Sequence, residues 1–72
     1  MMANVIRRGT TRMLVEFLDL AYISKYGQFT TLERLGNEAD FVGRDLQGNS
    51  YRFMQGIIRN NPNIRVVECY KN

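Results

Sequence analysis

The stretch "TTRMLVEFLDLAYISKYG", residues 10–27, decides the fold because it carries the clearest apolar periodicity in the chain. Apolar side chains recur at the i, i+3, i+4 spacing of one helix face, at Leu14, Phe17, Leu18, Ala21 and Tyr22. Charged side chains occupy the opposite side, at Arg12, Glu16 and Asp19. Thr10 or Thr11 supplies a hydroxyl that caps the first turn. Gly27 supplies the left-handed conformation that ends helices. The stretch therefore predicts an amphipathic helix over about residues 10–26.

Three other segments carry readable signals. In "FTTLERLG", residues 29–36, Thr30 and Glu33 have the spacing of a capping box, which predicts a short helix over residues 30–36. The segment "DFVGRDLQGN", residues 40–49, is a strand-like or irregular stretch that runs into a turn at Gly48-Asn49. The segment "NIRVVECY" is β-branched and follows Pro62, which forbids helix continuation. It predicts a strand over residues 63–70.

The segment "GNSYRFMQGIIRNN", residues 48–61, fits two structures. A helix over residues 50–60 places an apolar stripe on one face, at Tyr51, Met54, Ile57 and Ile58. A strand places Tyr51 and Phe53 on one face and Arg52 and Met54 on the other. Gln55 and Gly56 interrupt that alternation, so the helix is favoured and the strand stays open as the alternative.

Residue usage limits the chemistry of the protein. The chain has no histidine, and its single cysteine is Cys69. These facts exclude an internal disulfide, a Cys/His metal cluster and a histidine-based catalytic triad. We therefore expect no catalytic residues, no metal and no cofactor. Cys69, in a valine-rich stretch, is expected to be an inert core residue.

The 72 residues predict one small domain, 1–72, with a thin margin of stability. Self-association as a homodimer is a natural supplement for such a core. No run approaches the eighteen apolar residues of a membrane span, and the N-terminus lacks the apolar region of a signal peptide. A single unpaired cysteine fits a reducing compartment. The expected location is cytoplasmic, with no membrane partner.

The charge of the chain is basic and uneven. The net charge is +3, and eight of the ten basic residues are arginine, whose planar fork suits phosphates and base edges. Residues 1–12 and 44–72 each carry +3, whereas the segment between them carries −3. This distribution indicates DNA, RNA or another polyanion as a partner. A solvated surface without a partner is the alternative.

The predicted order of helix, short helix, helix and strand resembles the winged-helix variety of helix-turn-helix domain. This resemblance rests on element order and on the cap of "TTLERLG". It implies that "NSYRFMQGIIRN" is the helix that enters the major groove and that "NIRVVECY" is the first wing strand. The alternative α+β fold is a helix packed on a small antiparallel sheet.

The winged-helix resemblance also implies a set of nucleic-acid-binding residues. Groove contacts would come from Asn49, Ser50, Arg52, Gln55 and Arg59. Arginine and glutamine can make bidentate contacts to guanine and adenine edges, respectively. Phosphate contacts would come from Arg7, Arg8 and Arg12, which set affinity rather than specificity. The competing interpretation is that Arg52 and Arg59 are ordinary solvent-facing residues.

Three functions follow as hypotheses. The first is a non-enzymatic, basic nucleic-acid-binding regulator that neutralises phosphates and reads bases to a limited extent. The second is single-stranded RNA binding, with stacking faces from Tyr22, Tyr26, Tyr51, Phe53 and Tyr70; the simpler interpretation places these rings at the rim of the core. The third is a small protein-interaction module or inhibitor, of a kind also found in viruses, that docks onto an acidic surface of a larger protein.

Overall fold

The computed structural model describes residues 9–71, in which strands alternate with two short helices. The elements, in chain order, are β1 (Thr11–Phe17), α1 (Leu20–Tyr26), β2 (Phe29–Arg34), β3 (Asp40–Arg44), β4 (Ser50–Met54), α2 (Gln55–Asn60) and β5 (Ile64–Lys71). The strands form one sheet in the order β4-β3-β2-β1-β5, and each neighbouring pair is antiparallel. The prediction of a small α+β domain is confirmed.

The first half of the predicted helix over residues 10–26 is wrong, because residues 11–17 form the strand β1. The side chains of Thr11, Met13, Val15 and Phe17 are buried, and Arg12 between them is exposed. Such alternation buries one face of a strand, and β-branched threonine and valine favour it. β1 pairs with β2 on one edge and with β5 on the other. Its backbone is thus satisfied on both sides while Val15 and Phe17 become fully buried.

The second half of that prediction is confirmed as α1, over Leu20–Tyr26. Its cap is Asp19 rather than a threonine, since the Asp19 carboxylate accepts a hydrogen bond of 2.7 Å from the Ala21 amide. Gly27 ends the helix as predicted. It has φ 96°, and its amide donates to the Ile23 carbonyl.

The predicted short helix over residues 30–36 is wrong, because residues 29–34 form β2. Thr30 and Leu32 are buried, so the alternating pattern decides the structure here too. The Thr30 hydroxyl donates to the Tyr26 carbonyl at 3.1 Å instead of capping a helix. The Glu33 carboxylate accepts from Arg12 instead of completing a capping box.

Of the two structures left open for the stretch that begins at residue 40, the strand is observed, and the turn predicted to follow it is confirmed. β3 ends at Arg44, and β4 begins at Ser50. The Asp45 carboxylate organises the turn by accepting hydrogen bonds of 2.9 Å from the amides of Gln47 and Asn49.

The ambiguous segment is a strand followed by a helix. The predicted helix over residues 50–60 is wrong over β4 (Ser50–Met54) and confirmed over α2 (Gln55–Asn60). The predicted C-terminal strand is confirmed as β5, Ile64–Lys71. The structure does not confirm the winged-helix arrangement, because each of the three segments that it needs as helices contributes a strand. Helices packed on an antiparallel sheet describe the fold instead.

The core lies on one face of the sheet, which we call the inner face. The core joins inner-face side chains of the strands to Tyr26 of α1 and Ile58 of α2. At its centre Phe17 packs against Tyr22, Tyr26 and Phe53, with ring centroids 5.1, 5.5 and 6.1 Å away.

Tyr51 and Phe53 belong to this aromatic cluster. The Tyr51 ring meets Tyr26 edge to face at 5.5 Å, and Lys25 Nζ lies 4.3 Å from the Tyr51 ring centroid. The strand alternative for residues 50–54 is therefore correct. Phe53 is buried in the core, and Tyr51 packs against it.

Candidate interaction surface

The opposite face of the sheet, which we call the outer face, is left uncovered by both helices, because α1 and α2 pack on the inner face. The outer face is formed by every second residue of β1 to β4 and by three residues of β5. Its members are Arg12, Leu14 and Glu16 in β1, Phe29, Thr31 and Glu33 in β2, Asp40, Val42 and Arg44 in β3, Ser50, Arg52 and Met54 in β4, and Arg65, Glu68 and Tyr70 in β5. They are exposed or half-buried.

Ion pairs hold most of the outer-face arginines. Arg12 and Glu33, directly opposite each other on β1 and β2, approach to 2.9 Å. Arg52 lies 3.7 Å from Asp40. A third pair joins Arg65 to Glu16. Within residues 9–71, Arg44 makes no such pair.

The formal charges of the outer face balance. The four arginines, at 12, 44, 52 and 65, are matched by four carboxylates, at 16, 33, 40 and 68. Between the charges lie exposed apolar side chains, with Phe29 at 51% and Met54 at 61% of full exposure. The outer face is therefore amphipathic and close to neutral.

A groove of about 720 Å³ opens between β2 and β3. It lies where the strand pairing is shortest, since β2 and β3 share one registered pair, Glu33 with Val42, whereas β3 and β4 pair over five residues. Phe29, Leu35 and Val42 give the groove an apolar part, and Arg12, Glu38 and Arg44 give it charges. The groove can thus hold an apolar group with a polar group beside it.

The residues predicted to bind nucleic acid do not share one surface. Arg7 and Arg8 lie outside the described residues. Arg12, Ser50 and Arg52 lie on the outer face.

The other three predicted residues lie elsewhere. Asn49 is tied into the β3–β4 turn by Asp45. Gln55 and Arg59 lie on α2, which packs on the inner face. The single recognition face that a helix over 50–60 would have provided is not formed.

Three outer-face residues were missed from the sequence: Phe29, Val42 and Arg44. The signal that could have found them is the alternation of residues 29–34 and 40–44, once both segments are taken as strands. Cys69 was placed wrongly as well. It is exposed on β5, because nothing in the described chain packs over this part of the inner face.

The pKa values of Asp45 and Tyr70 differ from their usual values. Desolvation alone would raise the pKa of Asp45. Hydrogen bonds from the backbone and side chain of Asn49, from the Gln47 backbone and from Tyr51 outweigh that effect, so the pKa falls below 3.8. On β5, the hydrogen bond to Glu68 and the negative charge of that carboxylate raise the pKa of Tyr70 above 10.0.

Neither a metal cluster nor a membrane span is found in residues 9–71. No three histidine, cysteine, aspartate or glutamate side chains come together there as metal ligands. No helix of that range is long and apolar enough to cross a bilayer.

Comparison with protein-family models, with curated proteins and with solved structures found no match to this chain.

Proposed function

We propose that the protein is a non-enzymatic interaction module that docks onto a partner protein through its outer face. The observation that supports this proposal best is the composition of the face, in which balanced charges alternate with exposed apolar side chains. Protein interfaces combine an apolar centre with a polar rim in which ion pairs set the register. Covering Phe29, Val42 and Met54 is favoured by the hydrophobic effect.

The preferred partner presents an apolar side chain to the groove and a carboxylate to Arg44. Arg44 lines the groove and makes no ion pair within residues 9–71. The other outer-face arginines are already matched by Glu16, Glu33 and Asp40. An acidic group on the partner would therefore find one unmatched guanidinium, placed beside an apolar surface.

A polyanion fits the outer face less well. The carboxylates of the outer face lie among its arginines and would repel the phosphates of a polyanion. The strength of phosphate binding grows with the number of charges neutralised. Of the four outer-face arginines in the described domain, three are already paired with carboxylates.

Single-stranded nucleic acid is a second candidate, on one observation. The exposed Phe29 ring and the unpaired Arg44 line the same groove, and a base could stack on the ring while a phosphate meets the guanidinium. This candidate agrees with the hypothesis, based on the net charge, that the protein binds nucleic acid. It moves the site from residues 49–59 to the outer face.

Affinity capture with matched variants tests the proposal. The wild type, the double variant Phe29→Ser/Val42→Thr and the control Leu20→Ser are immobilised and exposed to extract of the cells that produce the protein, in parallel samples with and without nuclease treatment. Leu20 is 80% exposed on α1, away from the outer face. We expect the wild type and the control to retain the same partner and the double variant to lose it.

A reconstitution then decides between the candidates. Calorimetry with the purified partner should show at least about tenfold weaker binding for the double variant and for Arg44→Glu. Capture that the double variant leaves intact would refute docking through the outer face. Capture abolished by nuclease, with log-linear loss of oligonucleotide binding above about 50 mM salt, would establish the nucleic-acid candidate instead.

A further inference from the structure

We propose that β5 pairs antiparallel with β5 of a second copy, so that one sheet runs through a two-fold symmetric dimer. This proposal is independent of the docking function, since it concerns the edge of the sheet rather than the groove between β2 and β3. It commits to a second copy of this chain as the occupant of that edge.

The free edge of β5 is long and open. β5 is the outermost strand, pairs with β1 alone among the described strands, and is exposed at every residue from Arg65 to Lys71. Val66 and Val67 are each 44% exposed. A row of unpaired amides and carbonyls beside apolar side chains is a template for another strand.

An irregularity in β5 makes its charge pattern self-complementary. Val15 pairs with Val66 and Leu14 pairs with Glu68, so Val67 is an extra residue in the ladder. Arg65 lies opposite Glu16, which is two residues from Leu14 on the same face of β1. The extra residue therefore brings Arg65 and Glu68 onto the same face of the sheet, although they are three residues apart.

That placement defines a register for the dimer. When two β5 strands run antiparallel with Arg65 opposite Glu68 of the second copy, the two-fold axis creates the same pair again. Val66 then lies opposite Val67 of the second copy. Both strands have two residues between the charged positions, so the pairing needs no further irregularity. Such an interface is isologous and closes at two copies.

The contacts within one copy leave this register available. Arg65 uses Nε and one terminal nitrogen toward Glu16, and a guanidinium has five N–H donors in all. Glu68 is exposed and makes no ion pair within residues 9–71, and a carboxylate accepts several hydrogen bonds. Arg65 and Glu68 can therefore form ion pairs with a second copy, while Arg65 keeps its contact with Glu16.

Disulfide trapping tests the register. Two variants are made in a Cys69→Ser background, one with Arg65→Cys and one with Glu68→Cys. Directly opposed residues of antiparallel strands have the Cα separation that a disulfide needs. Under mild oxidation we expect a covalent dimer when the two variants are mixed, and little when either is oxidised alone. Equal yields in all three samples would overturn the register.

Sedimentation velocity tests the dimer itself, between about 5 and about 500 µM protein. We expect a concentration-dependent dimer for the wild type and at least about tenfold weaker association for Glu68→Arg. The control Glu38→Arg makes the same charge change at an exposed site on the β2–β3 connection and should behave as the wild type. A monomeric wild type at the highest concentration, or equal effects of the two variants, would overturn the proposal. The double variant Phe29→Ser/Val42→Thr should still dimerise, which separates this test from that of the docking function.

Discussion

Gly43 is the position at which one added carbon should disturb the core most directly. It lies on the inner face of β3, beneath side chains of the two neighbouring strands. An ideal β-carbon there would collide with Leu32 Cδ2 and lie 3.2 Å from Phe53 Cε2. Leu32 is fully buried and Phe53 is 5% exposed, so neither side chain has open space to move into. We therefore expect Gly43→Ala to destabilise the protein.

The magnitude follows from two opposing effects. One extra methyl in a packed core costs about 1–3 kcal/mol. Replacing glycine also removes freedom from the unfolded chain, which returns about 0.4–1 kcal/mol. The net loss is about 1–2 kcal/mol. For a domain of this size, that lowers Tm by roughly 5–15 °C.

Thermal and urea unfolding, followed by circular dichroism, measure this loss. The matched control is Gly56→Ala in α2, where the nearest atom to an added β-carbon is Asn60 Nδ2 at 3.9 Å. It should stabilise the protein by about 0.5 kcal/mol, because alanine is the better helix former. Leu32→Val should couple favourably with Gly43→Ala by about 1 kcal/mol in a double-mutant cycle. A Gly43→Ala variant as stable as Gly56→Ala, or without coupling to Leu32, would refute the packing argument.

Three further substitutions test other parts of the structure. The pKa of Asp45 is lower in the folded than in the unfolded chain, so its hydrogen bonds stabilise the fold above the unfolded value of 3.8 and are lost as pH falls through the folded value. Asp45→Ala should therefore lower Tm at neutral pH and change it less below about pH 4, as a pH series of melting curves would show. Arg12→Ala removes an exposed ion pair with Glu33 and should change the free energy of unfolding by no more than about 0.5 kcal/mol in urea titrations. Phe17→Ala empties the centre of the aromatic cluster at a cost of about 3–5 kcal/mol, so its amide NMR spectrum should show a largely unfolded chain.

The sequence predicted α1, the β3–β4 turn and β5 because each depends on short-range signals. Gly27 and the residues around Asp45 act within a few positions of the chain, and Pro62 separates α2 from β5. Residues 10–17 were misassigned because their pattern satisfies two periods at once. Leu14 and Phe17 fit a helix, while Met13, Val15 and Phe17 fit a strand. Pairing with both β2 and β5 decides between these periods, and those partners lie far away in the chain.

The candidate site could be predicted only in part for the same reason. Arg12 and Arg52 were identified as exposed bases, but their carboxylate partners, Glu33 and Asp40, depend on strand register. Phe29 gave no signal while residues 29–36 were taken as a helix. The wrong secondary structure for residues 29–36 thus led to a wrong prediction of which side chains share the exposed face. The residues predicted to contact the major groove were divided among the outer face, the β3–β4 turn and α2.

The pairing of β1 with β5 also determines how the chain reaches its fold. The β3–β4 hairpin joins residues that are close in sequence and can form early. One edge of β1 remains unpaired until β5, the last strand, reaches it. Proteins rich in such distant pairings fold in milliseconds to seconds. Throughout that interval β1 exposes an unsatisfied edge beside Met13 and Val15. A chain that stopped before Ile64 would keep that edge permanently and should aggregate, because nothing else in the described domain could cover it.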